Sequence, residues 1–172
     1  MRKRVVWILI IALLGGCFLR WGSFAASQNG IAASLPIAGK VIQIDPGHGG
    51  VDPGKTGSQG EDEKAINLSI AAKLAAYLEM GGALVYMTRM EDETLGEGTK
   101  KEDMRQRAEQ IQELKPDLFV SIHQNSYTDS QFWGPQVFYH TDSPKSEALA
   151  AKVQEQLNIF TGSKRQYKEN AD

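Results

Sequence analysis

The stretch Val41-Ile42-Gln43-Ile44-Asp45-Pro46-Gly47-His48-Gly49-Gly50 decides how the rest of the chain is read. An apolar, β-branched run that halts at Asp-Pro-Gly and then sets a histidine between glycines predicts a buried strand breaking into a sharply turned loop. That loop carries His48 at the strand's carboxyl end. In open α/β sheets ligands gather outside this edge, which makes His48 a candidate for chemistry; an ordinary loop histidine is the competing reading.

Downstream, the pattern alternates. Past Asp52-Pro53-Gly54, Gly57 and Gly60, a helix is expected from about Glu61 to the stop at Gly81-Gly82, with Ile66, Ile70, Leu74 and Leu78 facing inward at i, i+4, i+8 and i+12. Glu61, Asp62 and Glu63 would fill its first turn, where the helix dipole favours negative charge. A short strand is expected over residues 83–88, and a charged surface excursion over 89–101, long enough to act as a lid or binding loop. A second helix over 102–114 would bury Met104, Ala108 and Ile111 and end before Pro116. Leu118-Phe119-Val120-Ser121-Ile122 reads as a central parallel strand that delivers His123 at its carboxyl end. A further strand over 134–140 and a third helix over 144–160, with Leu149, Val153 and Leu157 inward, complete a β-α-β-α-β-β-α order. Such an order predicts an α/β fold: a three-layer, mainly parallel sheet with helices on both faces.

The 172 residues carry a net charge of -2, and the basic side chains are scattered rather than gathered in a stripe, which argues against a nucleic-acid partner. A single cysteine, Cys17, excludes an intrachain disulfide framework. At the N-terminus Arg2, Lys3 and Arg4 precede an apolar run over residues 5–19, then Arg20 and the small residues Ser23, Ala25, Ala26 and Ser27. Residues 1–26 are therefore expected to be a signal peptide, or an uncleaved anchor that would hold the protein at the membrane. Leu14-Gly15-Gly16-Cys17 also resembles a lipoprotein processing box. In each case the domain works outside the cytoplasm. Residues 27–39 read as a linker closed by Leu35-Pro36-Ile37, and the folded domain as residues 40–172.

His48 and His123 are expected on one sheet edge, and Glu63 at the start of the helix that leaves that edge. Two imidazoles and a carboxylate are the usual protein donors of a catalytic zinc, with the fourth position left for water. Asp45 is placed to orient a ligand histidine from behind. The bland alternatives are a first-turn carboxylate satisfying a dipole and a histidine capping a strand. His140 reads as structural or surface. The glycine loop could also cradle a phosphate, although no helix follows it directly and the glycine spacing is not the dinucleotide fingerprint.

Ile44 to Gly50 with Asp52-Pro53-Gly54, then Glu63-Lys64 before Ile66-Asn67-Leu68, then Thr88-Arg89, then Ser121-Ile122-His123-Gln124-Asn125-Ser126, resemble the ordered motifs of the zinc-dependent N-acetylmuramoyl-L-alanine amidases. The resemblance runs from about Lys40 to the end, and is greatest to the germination-specific branch that acts on the spore cortex. It implies Zn2+ held by His48, Glu63 and His123, and peptidoglycan as the partner, cut at the amide between muramic acid and the stem peptide. A monomer is expected. Ala65 stands where many members carry aspartate, and Gln110-Ile111 where an Ala-Asn pair is common. Family members also carry a general acid/base glutamate in a last apolar strand. No residue up to Asp172 matches it, and Glu147, Glu155 and Glu169 receive no role. The expectation is that this glutamate lies beyond Asp172, that the domain is incomplete at its C-terminus, and that residues 40–172 alone hydrolyse peptidoglycan poorly. Two rival functions remain: a non-catalytic, zinc-holding module that binds wall glycopeptide, and a carbohydrate- or phosphate-binding α/β domain without metal.

Overall fold

A computed structural model describes residues 35–126, 129, 131–141 and 143–170. The basic start, the apolar run and Cys17 lie outside the described residues, and no described helix is long and apolar enough to cross a membrane. The chain forms two compact units, one ending at Gln124 and one beginning at Asn125.

The first unit holds β1 (Val41–Pro46), α1 (Glu63–Met80), β2 (Leu84–Met87), α2 (Lys100–Leu114) and β3 (Leu118–Ile122). Its sheet has the order β2-β1-β3 with both pairings parallel, Ile42 lying opposite Val85 on one side and opposite Leu118 on the other. β1 is thus the middle strand. β3, expected to be central, flanks it, and its Phe119 and Ser121 are exposed.

Alternation along β1 sends Ile42 and Ile44 to one face and Gln43 and Asp45 to the other. Ile42 and Ile44 are buried with Ala71 and Ala75 of α1 and with Ala83, and Ile37, Leu74, Leu78, Val85, Met87, Leu118 and Ile122 pack around them. Burying an isoleucine side chain contributes roughly 1.5–3 kcal/mol, so the pair anchors α1 to the sheet. On the opposite face Asp45 meets Arg107 of α2. Helices therefore cover both faces of a parallel sheet, as expected.

Both helices differ in part from expectation in the face they bury, although Leu74 and Leu78 of α1 pack against the core as expected. α1 turns Glu63, Asn67, Ala71 and Ala75 inward, while Ile66 and Ile70 are exposed at 36% and 42%. Small side chains let this helix approach the sheet closely, and the polar two reach the loop after β1. Only Glu63 lies in the first turn, because Asp62 is the N-cap and its carboxylate accepts from Thr56 instead. α2 begins earlier than expected, capped by the Thr99 hydroxyl, which accepts from the Glu102 N–H. It buries Asp103 and Arg107, and Met104 is exposed.

The excursion after β2 is not a free lid. Asp92 accepts from the Gly50 N–H at 2.8 Å and Thr94 from the Val51 N–H at 3.0 Å, and Lys64 bridges Asp92 and the Gly50 carbonyl. Arg89 at its start is 2% exposed. The segment is strapped onto the glycine loop.

The second unit contains β4 (Phe138–His140), α3 (Pro144–Thr161) and β5 (Lys168–Asn170). β4 and β5 pair in parallel, with Tyr139 opposite Glu169. β5 departs from expectation: its Lys-Glu-Asn sequence has no apolar period, and its ladder with β4 is what defines it. α3 starts on a Ser143 cap with Pro144 in the first turn and ends at Gly162, whose φ of 73° suits glycine.

Candidate metal centre

His48 stands on the loop that leaves β1, Glu63 opens α1, and His123 follows β3. Parallel pairing puts the ends of β1 and β3 side by side, with Pro46 opposite Ile122 and the Gly47 N–H donating to the Ile122 carbonyl at 3.0 Å. The three side chains each offer a ligand atom, all within 4.8 Å of one another. No second group of this kind occurs among the described residues.

Glu63 Oε1 lies 3.2 Å from His48 Nε2 and 3.2 Å from His123 Nδ1. Donors at the roughly 2.0–2.2 Å typical of zinc stand about 3.3 Å apart along a tetrahedral edge, so both spacings fit a shared ion. The imidazole rings meet edge to face with centroids 4.8 Å apart. Side-chain exposure is 18% for His48, 5% for Glu63 and 49% for His123, which leaves the site open on the His123 side.

The backbone around these groups is constrained. His48 has φ of 62°, a left-handed conformation that costs a non-glycine residue energy and recurs at functional sites. A Cβ on Gly47 would come within 2.2 Å of the His123 ring. A Cβ on Gly54, at φ +68°, would lie 2.6 Å from His48 and 2.8 Å from Glu63. Glycine at both positions is therefore what lets these three side chains close together.

Glu63 is nearly buried yet held ionised. Burial pushes its carboxyl up, but the Lys55 and Gln124 N–H groups, at 2.9 and 2.8 Å, Asn67 and the nearby His48 more than offset this and keep it below the usual value. Asn67 also donates to the Gly47 carbonyl at 3.1 Å and accepts from Gln124 Nε2 at 3.0 Å.

Asp45 does not orient a histidine. Its oxygens accept from Thr88 at 2.6 Å, from Ser121 at 2.8 Å and from Arg107, because strand alternation sends it to the α2 face. Burial raises its carboxyl, but these partners hold it below the ordinary range. The carboxylate behind His48 is that of Asp52, with Oδ2 3.0 Å from Nδ1. Reciprocal hydrogen bonds between Gly49 and Asp52 fold the loop back and bring it there. Burial raises the Asp52 carboxyl, but His48, Lys100 and the Gly54 N–H drive it far below the carboxylate range. An ionised Asp52 can only accept, so it is placed to accept a hydrogen bond from His48 Nδ1, and Nε2 is the ring atom that faces Glu63. The sequence signal for Asp52 was its place four residues after His48. Asp52→Asn is expected to weaken zinc binding by about 10- to 100-fold, the usual cost of losing such a partner, as read by chelator competition. Unchanged affinity would remove Asp52 from the site.

His140 ends β4 in the second unit and takes no part in the cluster. Glu147 and Glu155 belong to α3 and Glu169 to β5.

Comparison with known proteins gives the chain a family. Residues 42–171 match the N-acetylmuramoyl-L-alanine amidase family. The germination-specific N-acetylmuramoyl-L-alanine amidase of Bacillus subtilis is 36% identical over 165 residues, covering 91% of this chain and 69% of that protein. The amidase LytC of the same organism is 32% identical, covering 86% of this chain but 29% of its own length. Among solved structures, the CwlD amidase from Clostridioides difficile, in complex with the GerS lipoprotein, superposes with a TM-score of 0.73 at 35% identity, over 77% of this chain and 73% of that one. With the family pattern spanning the ordered motifs and the fold shared, the chain belongs to the N-acetylmuramoyl-L-alanine amidase family and is an enzyme of that class.

Proposed function

We propose that this enzyme uses zinc, held by His48, Glu63 and His123, to hydrolyse the amide between N-acetylmuramic acid and L-alanine in peptidoglycan. The observation that carries the reading is the convergence of two imidazoles on one ionised, buried carboxylate in a chain of this family. When bound, zinc lowers the pKa of its water to about 7 and polarises the scissile carbonyl. The chain's own residues prepare the site for it, while the general acid/base glutamate is expected beyond Asp172. Asp52 keeps the Nδ1 proton on His48, the Lys55 and Gln124 N–H groups fix the Glu63 carboxylate, and the exposed flank of His123 admits a polymeric substrate.

The substrate places the enzyme outside the cytoplasm, reached through its N-terminal segment. Similarity to the germination-specific amidase supports a role in germination; action on the spore cortex, by a monomer, is part of the same proposal. Protein recovered from the cells that make it should contain one zinc per chain and liberate new alanine amino termini from purified sacculi. A chelator should stop this and zinc should restore it. A zinc-bearing protein that binds sacculi and liberates nothing would instead be a binding module, and a protein without zinc would end the metal reading.

A further inference from the structure

Three successive carbonyls of the His48 loop point into the protein, and each is taken by a guanidinium. The Pro46 carbonyl accepts from Arg89 Nε at 2.9 Å and from Arg107 NH1 at 3.0 Å. The Gly47 carbonyl accepts from Arg89 NH2 at 3.1 Å, and that of His48 from Arg107 NH2 at 2.8 Å. Arg89 goes further. Its NH2 donates to the Lys64 carbonyl at 2.8 Å, in the first turn of α1 beside Glu63, and its NH1 to the Glu91 carbonyl at 2.9 Å. One planar group thus joins the segment bearing His48 to the turn bearing Glu63, and it holds Gly47, the residue against which the His123 ring packs.

Both arginines are buried, at 2% and 4% exposure. Arg107 is balanced by Asp45 and Asp103, whereas Arg89 directs its guanidinium to the backbone oxygens of Pro46, Gly47, Lys64 and Glu91. Burying such charge is costly, and well-packed apolar side chains often serve stability as well or better. Apolar side chains could not satisfy these carbonyls. The carbonyls need buried donors because β1 ends at Pro46, which leaves those of Gly47 and His48 beyond the last strand residue.

We propose that Arg89 and Arg107 are positioning residues of the metal centre: they hold the His48 loop in its left-handed turn, and register it against the Glu63 turn, before any metal arrives. This rests on the zinc reading above. Neither arginine is a metal donor, because a guanidinium stays protonated and has no acceptor atom. A lysine in either place keeps the charge but presents a single ammonium that cannot span the same carbonyls.

The test compares Arg89→Lys and Arg107→Lys with wild type and with Asp117→Ala, which removes the carboxylate that accepts from Lys40 and from the Val41 N–H at the far end of β1. Zinc affinity by chelator competition should fall about 10- to 100-fold in the lysine variants, the range for lost outer partners of a metal site. Their cobalt-loaded forms should show an altered visible spectrum. Asp117→Ala should lose thermal stability and keep both zinc affinity and spectrum. Wild-type affinity and spectra in the lysine variants would overturn the proposal, as would an equal loss of affinity in Asp117→Ala at matched stability. If the lysine variants fail to fold, the metal-stripped wild type decides by NMR. Slow exchange of the Arg89 and Arg107 guanidinium protons before zinc is added supports the proposal, and fast exchange that slows only with zinc overturns it. Wild type that never binds zinc refutes the metal reading instead, so the two failures remain distinct.

Discussion

His48→Ala and His123→Ala are each expected to leave the protein nearly free of zinc, while His140→Ala retains about one ion per chain by elemental analysis. Each of the first two substitutions removes one of the three donors that converge among the described residues, so its effect should exceed the roughly 10- to 100-fold cost of disturbing an outer partner. Glu63→Gln should behave likewise, since it keeps the shape but removes the charge that the Lys55 and Gln124 N–H groups hold in place. Stability supplies a second reading. A ligand that binds only the folded state stabilises it by about 4.1 kcal/mol at a thousandfold excess over its Kd. Chelator should therefore lower the melting temperature of wild type and of His140→Ala, and hardly move that of His48→Ala. Equal zinc content in all of these proteins would sink the assignment.

Asp45→Ala is expected to cost about 3–5 kcal/mol of folding stability at neutral pH, the scale for removing one partner of a buried ion pair. Arg107 would keep Asp103 but lose its second carboxylate, and the Thr88 and Ser121 hydroxyls would lose their acceptor. The pH dependence follows from the depressed carboxyl of Asp45. A folded-state value below the ordinary 3.8 means that the group stabilises the fold fully above about pH 5 and ceases to do so as pH falls through the folded value. In urea titrations the gap between wild type and variant should be wide at pH 7 and narrow steadily below pH 3.8. Midpoints that coincide at pH 7 would show that Arg107 needs no partner in Asp45.

β1, β3 and the convergence of His48, Glu63 and His123 were legible in the sequence because each depends on a local signal. A β-branched run needs only to be buried, and a histidine at a parallel strand's end is placed by the strand itself. The helix faces were legible only in part, since Leu74 and Leu78 pack around the core as expected and Ile66 and Ile70 do not. Periodicity marks the large apolar residues Ile66 and Ile70, whereas α1 approaches the sheet through Ala71 and Ala75, which a hydrophobic pattern weighs lightly. α2 buries Asp103 and Arg107, residues that the same pattern assigns to solvent. Thr88-Arg89 was visible as a motif, yet Arg89's four acceptors are backbone carbonyls contributed by three segments of the chain, which no spacing rule discloses. Asp52 rather than Asp45 backs His48 for a simple reason: one-residue alternation decides which way a strand carboxylate points, and a folded-back loop, not proximity in sequence to the strand, brings a carboxylate behind the ring.

The placement of β1 in the middle of its sheet bears on how the chain acquires its shape during synthesis. Both neighbours, β2 and β3, follow it in the sequence, each beyond an intervening helix. A ribosome making the chain from its N-terminus releases Ile42 and Ile44 long before either partner strand exists. No hairpin can shelter them, and parallel pairing must wait for loops to close over long separations, which slows folding. Until β2 emerges, the nascent chain carries an unpaired apolar strand with two open edges, and until β3 emerges one edge stays open, the species that associates with its neighbours most readily. Yield in a cell would then be governed by translation speed and by holding chaperones more than by the final stability of the fold.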